Sequence, residues 1–61
     1  MLEIGTLIQV IYPQYAAGIQ GKLLAREQAG RWIVSLDCAD EREPLLLSLE
    51  ESDFIRVNAP Q

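Results

Sequence analysis

The chain has no histidine, one cysteine, and only five lysine and arginine residues among 61. Each shortage closes a class of function. Without histidine, the commonest general base and metal ligand is missing. The lone thiol, Cys38, cannot form an intrachain disulfide, which fits a reducing compartment and a fold held by packing alone. Its neighbours Asp37 and Asp40 disfavour the thiolate that a nucleophile needs, so Cys38 reads as a residue at a strand end. No apolar run approaches the ~20 residues that span a bilayer. The opening Met1-Leu2-Glu3-Ile4 has neither the basic segment nor the apolar core of a secretory leader. The expectation is a cytoplasmic protein without membrane insertion.

Positive charge is scarce in a telling way. The net charge is −4, and the acids are concentrated in one half. Up to Leu36, Glu3 and Glu27 are balanced by Lys22, Arg26 and Arg31. From Asp37 to Asp53, Arg42 alone faces seven acids, among them Asp40, Glu41, Glu43, Glu50 and Glu51. Nucleic acids are held by lysine and arginine through counterion release, so this balance argues against them. An acidic edge made of those five residues instead suits a basic patch on a protein partner, or simply keeps a small apolar domain in solution.

What the chain does have is apolar alternation punctuated by glycine, with 49% hydrophobic residues. Thr6–Tyr12 alternates Leu7, Gln9 and Ile11 with Ile8, Val10 and Tyr12, the period of a strand. Pro13 ends it, and Tyr15-Ala16-Ala17-Gly18 makes a turn. A second strand spans Ile19–Glu27, with Gly21 as a bulge or bend. Leu23–Ala29 also suits a short helix, but Gln28-Ala29-Gly30 before the β-rich Arg31–Leu36 favours a hairpin. Asp37–Glu43 is a polar loop. Leu45–Ser48 makes a fourth strand, Leu49–Asp53 a single helical turn, and Phe54–Val57 a fifth strand. The expected fold is all-β: one domain over residues 1–57, a small five-stranded barrel with a 3-10 turn before the last strand, and a frayed tail over 58–61.

The motifs Gly5-x-x-Ile8-x-Val10, Gly18-x-x-Gly21-x-Leu23 and Gly30-Arg31-Trp32-x-Val34 resemble the KOW pattern of Src-homology-3-like barrels. Within that superfamily the chain is similar to the small accessory subunits of cyanobacterial and chloroplast electron-transfer complexes. These include the small barrel chain of photosystem I and the small barrel subunits of the photosynthetic NDH complex. Pro13 and Tyr15 before Gly21, and Leu49-Glu50-Glu51 before an apolar strand, carry that likeness. The stretch Leu7–Tyr15 is uncharged, where those subunits often carry basic residues. The resemblance implies a non-catalytic subunit docked on the cytoplasmic or stromal face of a membrane complex.

No nucleophile–base pair, phosphate-binding glycine loop or metal-ligand spacing is present, so no catalytic residue, metal or cofactor is expected. Binding is the better prospect. Assigning Ile8, Val10, Leu23, Trp32, Val34, Leu36, Leu47, Leu49 and Phe54 to the interior leaves Leu7, Ile11, Leu24, Ile33 and Leu46 facing outward. Together with Tyr15, in a loop position where Src-homology-3 domains hold extended peptides, these six form the candidate partner-binding set. Tyr12 and Trp32 are expected to belong to the interior. Two other readings stay open. One is an RNA- or ribosome-associated KOW module using Lys22, Arg26 and Arg31; the other is a barrel that self-associates through its aliphatic patch.

Overall fold

Strand-period alternation decides the local structure throughout the computed structural model, which describes residues 2–37 and 45–57. The strands are β1 (Leu7–Val10), β2 (Gln20–Arg26), β3 (Arg31–Leu36), β4 (Leu45–Glu50) and β5 (Phe54–Arg56). Single 3-10 turns occupy Gln14–Ala16, Gln28–Gly30 and Glu51–Asp53. All five strands join one antiparallel sheet in the order β4-β3-β2-β1-β5. The first strand therefore lies inside the sheet, and the last returns to its free side. No ladder joins the two edge strands, β4 and β5, among the described residues. Of the expected five-stranded barrel, the five antiparallel strands and the 3-10 turn before the last are present in one sheet, and closure into a barrel is not detected. The polar loop expected over Asp37–Glu43 and the frayed tail over 58–61 lie outside the described residues, apart from Asp37.

One face of the sheet carries the core. Ile8, Val10, Leu23, Trp32, Val34, Leu36, Leu49 and Phe54 are buried, with Ala16 from the first 3-10 turn. Among the described residues no helix longer than a 3-10 turn and no second sheet covers them. Each fully buried aliphatic contributes about 1.5–3 kcal/mol, and few other sources of stability exist in so short a chain. Leu47, expected in the core, is half-buried and packs against the cluster's margin, because it sits on the edge strand.

Gly21 is explained by close approach and not by a bulge. It keeps regular register with Ile8 on one side and Leu36 on the other. A Cβ there would fall on the Ser35 carbonyl oxygen and within 3.1 Å of the Leu36 Cα. The bulge lies two residues on, between Leu23 and Ala25. It sets Leu24 and Ala25 together against Ile33, so both side chains face outward and Arg26 turns back to the Trp32 side.

The expected hairpin forms and the rival helix over Leu23–Ala29 does not. Both central turn residues have positive φ, 62° at Ala29 and 74° at Gly30, and the Arg31 N–H donates to the Gln28 carbonyl. This is the backbone of a type I′ turn, whose twist matches the flanking strands. Alanine is a poor occupant of a left-handed position, where asparagine is tolerated. Ala29→Asn is expected to stabilise the fold by about 0.5–1 kcal/mol, read as a higher urea midpoint with an unchanged slope. A lower midpoint would refute this account of the turn.

The turn at Glu51–Asp53 ties the sheet's last connection to its first strand. The Asp53 carbonyl accepts from the N–H groups of Ile11 (2.8 Å) and Tyr12 (3.1 Å). Its carboxylate accepts from the Glu50 N–H at 3.1 Å.

Candidate interaction surface

The outward face follows from strand register. Leu46 opposes Ser35, Ile33 opposes Ser48, Leu7 opposes Lys22, and Ile55 opposes Gln9. Residues two apart along a strand share a face, and diagonal neighbours across an antiparallel ladder stand ~7–8 Å apart, within reach of long side chains. Ile33 is therefore diagonal to Leu46, and the bulge sets Leu24 against Ile33. Leu24 in turn is diagonal to Leu7, and Ile55 lies between Leu7 and Ile11. The result is one apolar band crossing all five strands. Lys22, Ser35 and Gln9 lie beside it on the same face.

Of the six residues expected to bind a partner, five are exposed: Leu7, Ile11, Leu24 and Leu46 at 44–53%, and Tyr15 at 74%. Ile33 is half-buried, because it occupies an inner strand between the Leu24 bulge and β4. Ile55, 51% exposed, completes the band and lies outside the expected set. Its signal is legible all the same, since Phe54 points inward and the next residue of a strand must point outward. Leu45, on the core side at the start of the edge strand, and Ile4, in the turn before β1, are further exposed aliphatics outside the expected set. Tyr12, expected to cap the interior, is 64% exposed. Its N–H donates to the Asp53 carbonyl, and the residue of this connection that joins the core is Ala16. Tyr12 and Tyr15 both stand on the connection after β1, whose ends are closed by Gly18 N–H donating to the Val10 carbonyl at 2.8 Å.

The acidic edge is only partly visible. Asp40, Glu41 and Glu43 lie outside the described residues. Glu50 and Glu51 are both committed to internal contacts. Glu50 pairs with Arg31 at 3.2 Å, an ion pair of two exposed groups worth ~0–1 kcal/mol. Arg31 also donates through Nε to the Ser48 hydroxyl (3.0 Å) and through Nη2 to the Ser48 carbonyl (2.9 Å). The Ser48 hydroxyl donates to Glu27 at 2.6 Å, so one network staples the β2–β3 hairpin to β4. Glu51 accepts from the Trp32 indole N–H at 3.2 Å.

Trp32, 3% exposed, is core as expected, but its environment is mixed. The Arg26 guanidinium stacks over its ring, 5.6 Å from the centroid. With Leu2, Glu51 and Arg56 these residues line an open hollow of about 380 Å³. These lining residues include no nucleophile beside a base, and the indole face that a ligand would stack on is covered by Arg26. Among the described residues no three histidine, cysteine, aspartate or glutamate side chains converge as metal ligands would.

The three cations of the RNA reading do not meet. Lys22 opposes Ser35 on the outer face, Arg26 is turned to Trp32 by the bulge, and Arg31 is held by Glu50. No helix among the described residues is long and apolar enough to cross a membrane. No family model, curated protein or solved structure matches the chain.

Proposed function

We propose that this chain is a non-catalytic interaction module: a Src-homology-3-like barrel acting as a small accessory subunit docked on a larger protein through its outer apolar band. The carrying observation is the continuity of that band. Scattered exposed leucines are ordinary, but aliphatics linked by register across every strand of one face form a patch, and patches of that kind mark interaction surfaces. Strand order supports the barrel reading, with a 3-10 turn delivering the last strand to the first. The KOW-like glycine motifs point to electron-transfer complexes as the kind of assembly.

Charge narrows the partner. On the band's face Lys22 is exposed between Leu7 and Ser35, whereas Arg31, two residues from Ile33, is already paired with Glu50. The complementary surface is therefore apolar with a carboxylate opposite Lys22. A basic patch is called for only if the acids from Asp40 to Glu43 reach the same partner. Leu7→Asp and Leu24→Asp place a charge in the band at positions already exposed, so the fold should survive. Each is expected to reduce recovery of the stoichiometric partner from native cells at least tenfold, about 1.4 kcal/mol. Ser52→Asp, in the turn outside the band, serves as the control and should recover it fully. Equal recovery by all three variants would end this reading.

A further inference from the structure

The edge of β4 offers a second surface, independent of the band's proposed role. In an antiparallel ladder, alternate residues turn their backbone groups to opposite neighbours. Leu23 donates to the Thr6 carbonyl (3.0 Å) and accepts from the Gly5 N–H (2.7 Å), both on its β1 side. Its partner Val34 therefore turns its own groups towards β4. Asp37 donates to Gln20 on β2, which fixes the same alternation for Leu36. It follows that Leu45, Leu47 and Leu49 bond to β3, while Leu46, Ser48 and Glu50 turn their backbone groups to the free edge.

Two of those edge groups are already taken. The Ser48 carbonyl accepts from Arg31 Nη2, and the Glu50 N–H donates to Asp53 Oδ2. Both contacts agree with the alternation and close the edge towards its C-terminal end, a common defence against unwanted pairing. Leu46 has no such protection among the described residues. Its N–H and carbonyl both face outward, and its side chain is 53% exposed beside Leu45 at 44%.

We propose that β4 pairs antiparallel with β4 of a second copy of this chain, across a two-fold axis at Leu46. One residue with both groups open is what a two-fold axis satisfies. Leu46 N–H donates to the mate's Leu46 carbonyl, and the reverse bond forms by symmetry. The same register sets Leu45 against Leu47 of the mate, all apolar. Charge does not oppose it, although each copy carries −4. Leu45–Leu49 is uncharged, and the two Glu50 residues, eight positions apart across the axis, stand ~27 Å from each other, beyond the Debye length at physiological salt. Pairing also joins the apolar bands of two copies into one surface.

Sedimentation equilibrium of the full chain tests this between ~10 μM and ~1 mM, the range of small, weak interfaces. The parent should shift from monomer to dimer as concentration rises. Leu46→Pro removes the outward N–H without removing a bond to β3, and should weaken dimerisation at least tenfold. Leu24→Asp, in the band but away from the edge, should leave the dimer intact, which separates this proposal from the docking role. Hydrogen exchange on the parent covers the case in which Leu46→Pro does not fold. The Leu46 amide should become protected with concentration while the Leu47 amide does not change. A parent that stays monomeric throughout, a dimer equally strong in Leu46→Pro, or Leu46 exchange independent of concentration would each overturn the pairing.

Discussion

Gly21→Val is expected to unfold most of the protein at 25 °C. A Cβ at this position collides with the Ser35 carbonyl oxygen and presses on the Leu36 Cα, which are backbone atoms and cannot rotate away. Relief requires β2 and β3 to separate at a residue that also pairs with Ile8 of β1. Overpacking typically costs about 1–3 kcal/mol where side chains can repack, and more is expected against rigid backbone. A domain of this size has about 3–9 kcal/mol in total. Gly21→Ala should be destabilised in the same direction with folded protein still measurable. Far-ultraviolet circular dichroism and urea titration decide it. A Gly21→Ala midpoint equal to the parent's would mean that the strands separate cheaply and that the close approach is unimportant.

Replacing Trp32 should produce a graded loss that divides its roles. The indole is buried in the core, donates to Glu51 and lies under Arg26. Trp32→Ala removes the largest core side chain and leaves a cavity, at an expected cost of about 3–5 kcal/mol. Trp32→Phe keeps much of the volume and an aromatic face for Arg26, but loses the N–H donated to Glu51; about 1–2 kcal/mol is expected. Chemical denaturation of both variants checks the ordering. If Trp32→Phe is as damaging as Trp32→Ala, the hydrogen bond and ring size matter more than filled volume. If neither is damaging, Trp32 is not a core anchor.

Both effects bear on a core carried, among the described residues, by one five-stranded sheet. Ile8, Leu23, Val34 and Leu36 are fully enclosed although no helix or second sheet among the described residues covers them. Gly21 is where β2 and β3 approach closely. A core on one face also leaves the outer face of the strands uncovered among the described residues. The band from Leu46 to Ile11 is the price of a core made this way, and docking is the proposed means of shielding it.

Alternation by itself determined the strands and which side of each faces inward. The interior set from Ile8 to Phe54 was legible because strand geometry permits only two directions for a side chain, and burial rewards one of them. The hairpin at Gln28-Ala29-Gly30 was legible from glycine placement, and the turn before Phe54 from its carboxylates, although it spans Glu51–Asp53 and Leu49 and Glu50, expected in it, continue β4. Tertiary structure decided what depends on neighbours distant in sequence. The bulge arises at Leu24 and not Gly21 because Ile33 across the ladder receives two residues. Ile33 is half-buried because its strand is flanked on both sides, and Tyr12 is exposed where its N–H is held by the Asp53 carbonyl from the far end of the chain. Whether the outward aliphatics meet is a matter of register, and register is a relation between strands that no single stretch of sequence contains. The open backbone of Leu46 is hidden from the sequence for the same reason: it follows from which strand ends the sheet and which edge groups Arg31 and Asp53 have already taken.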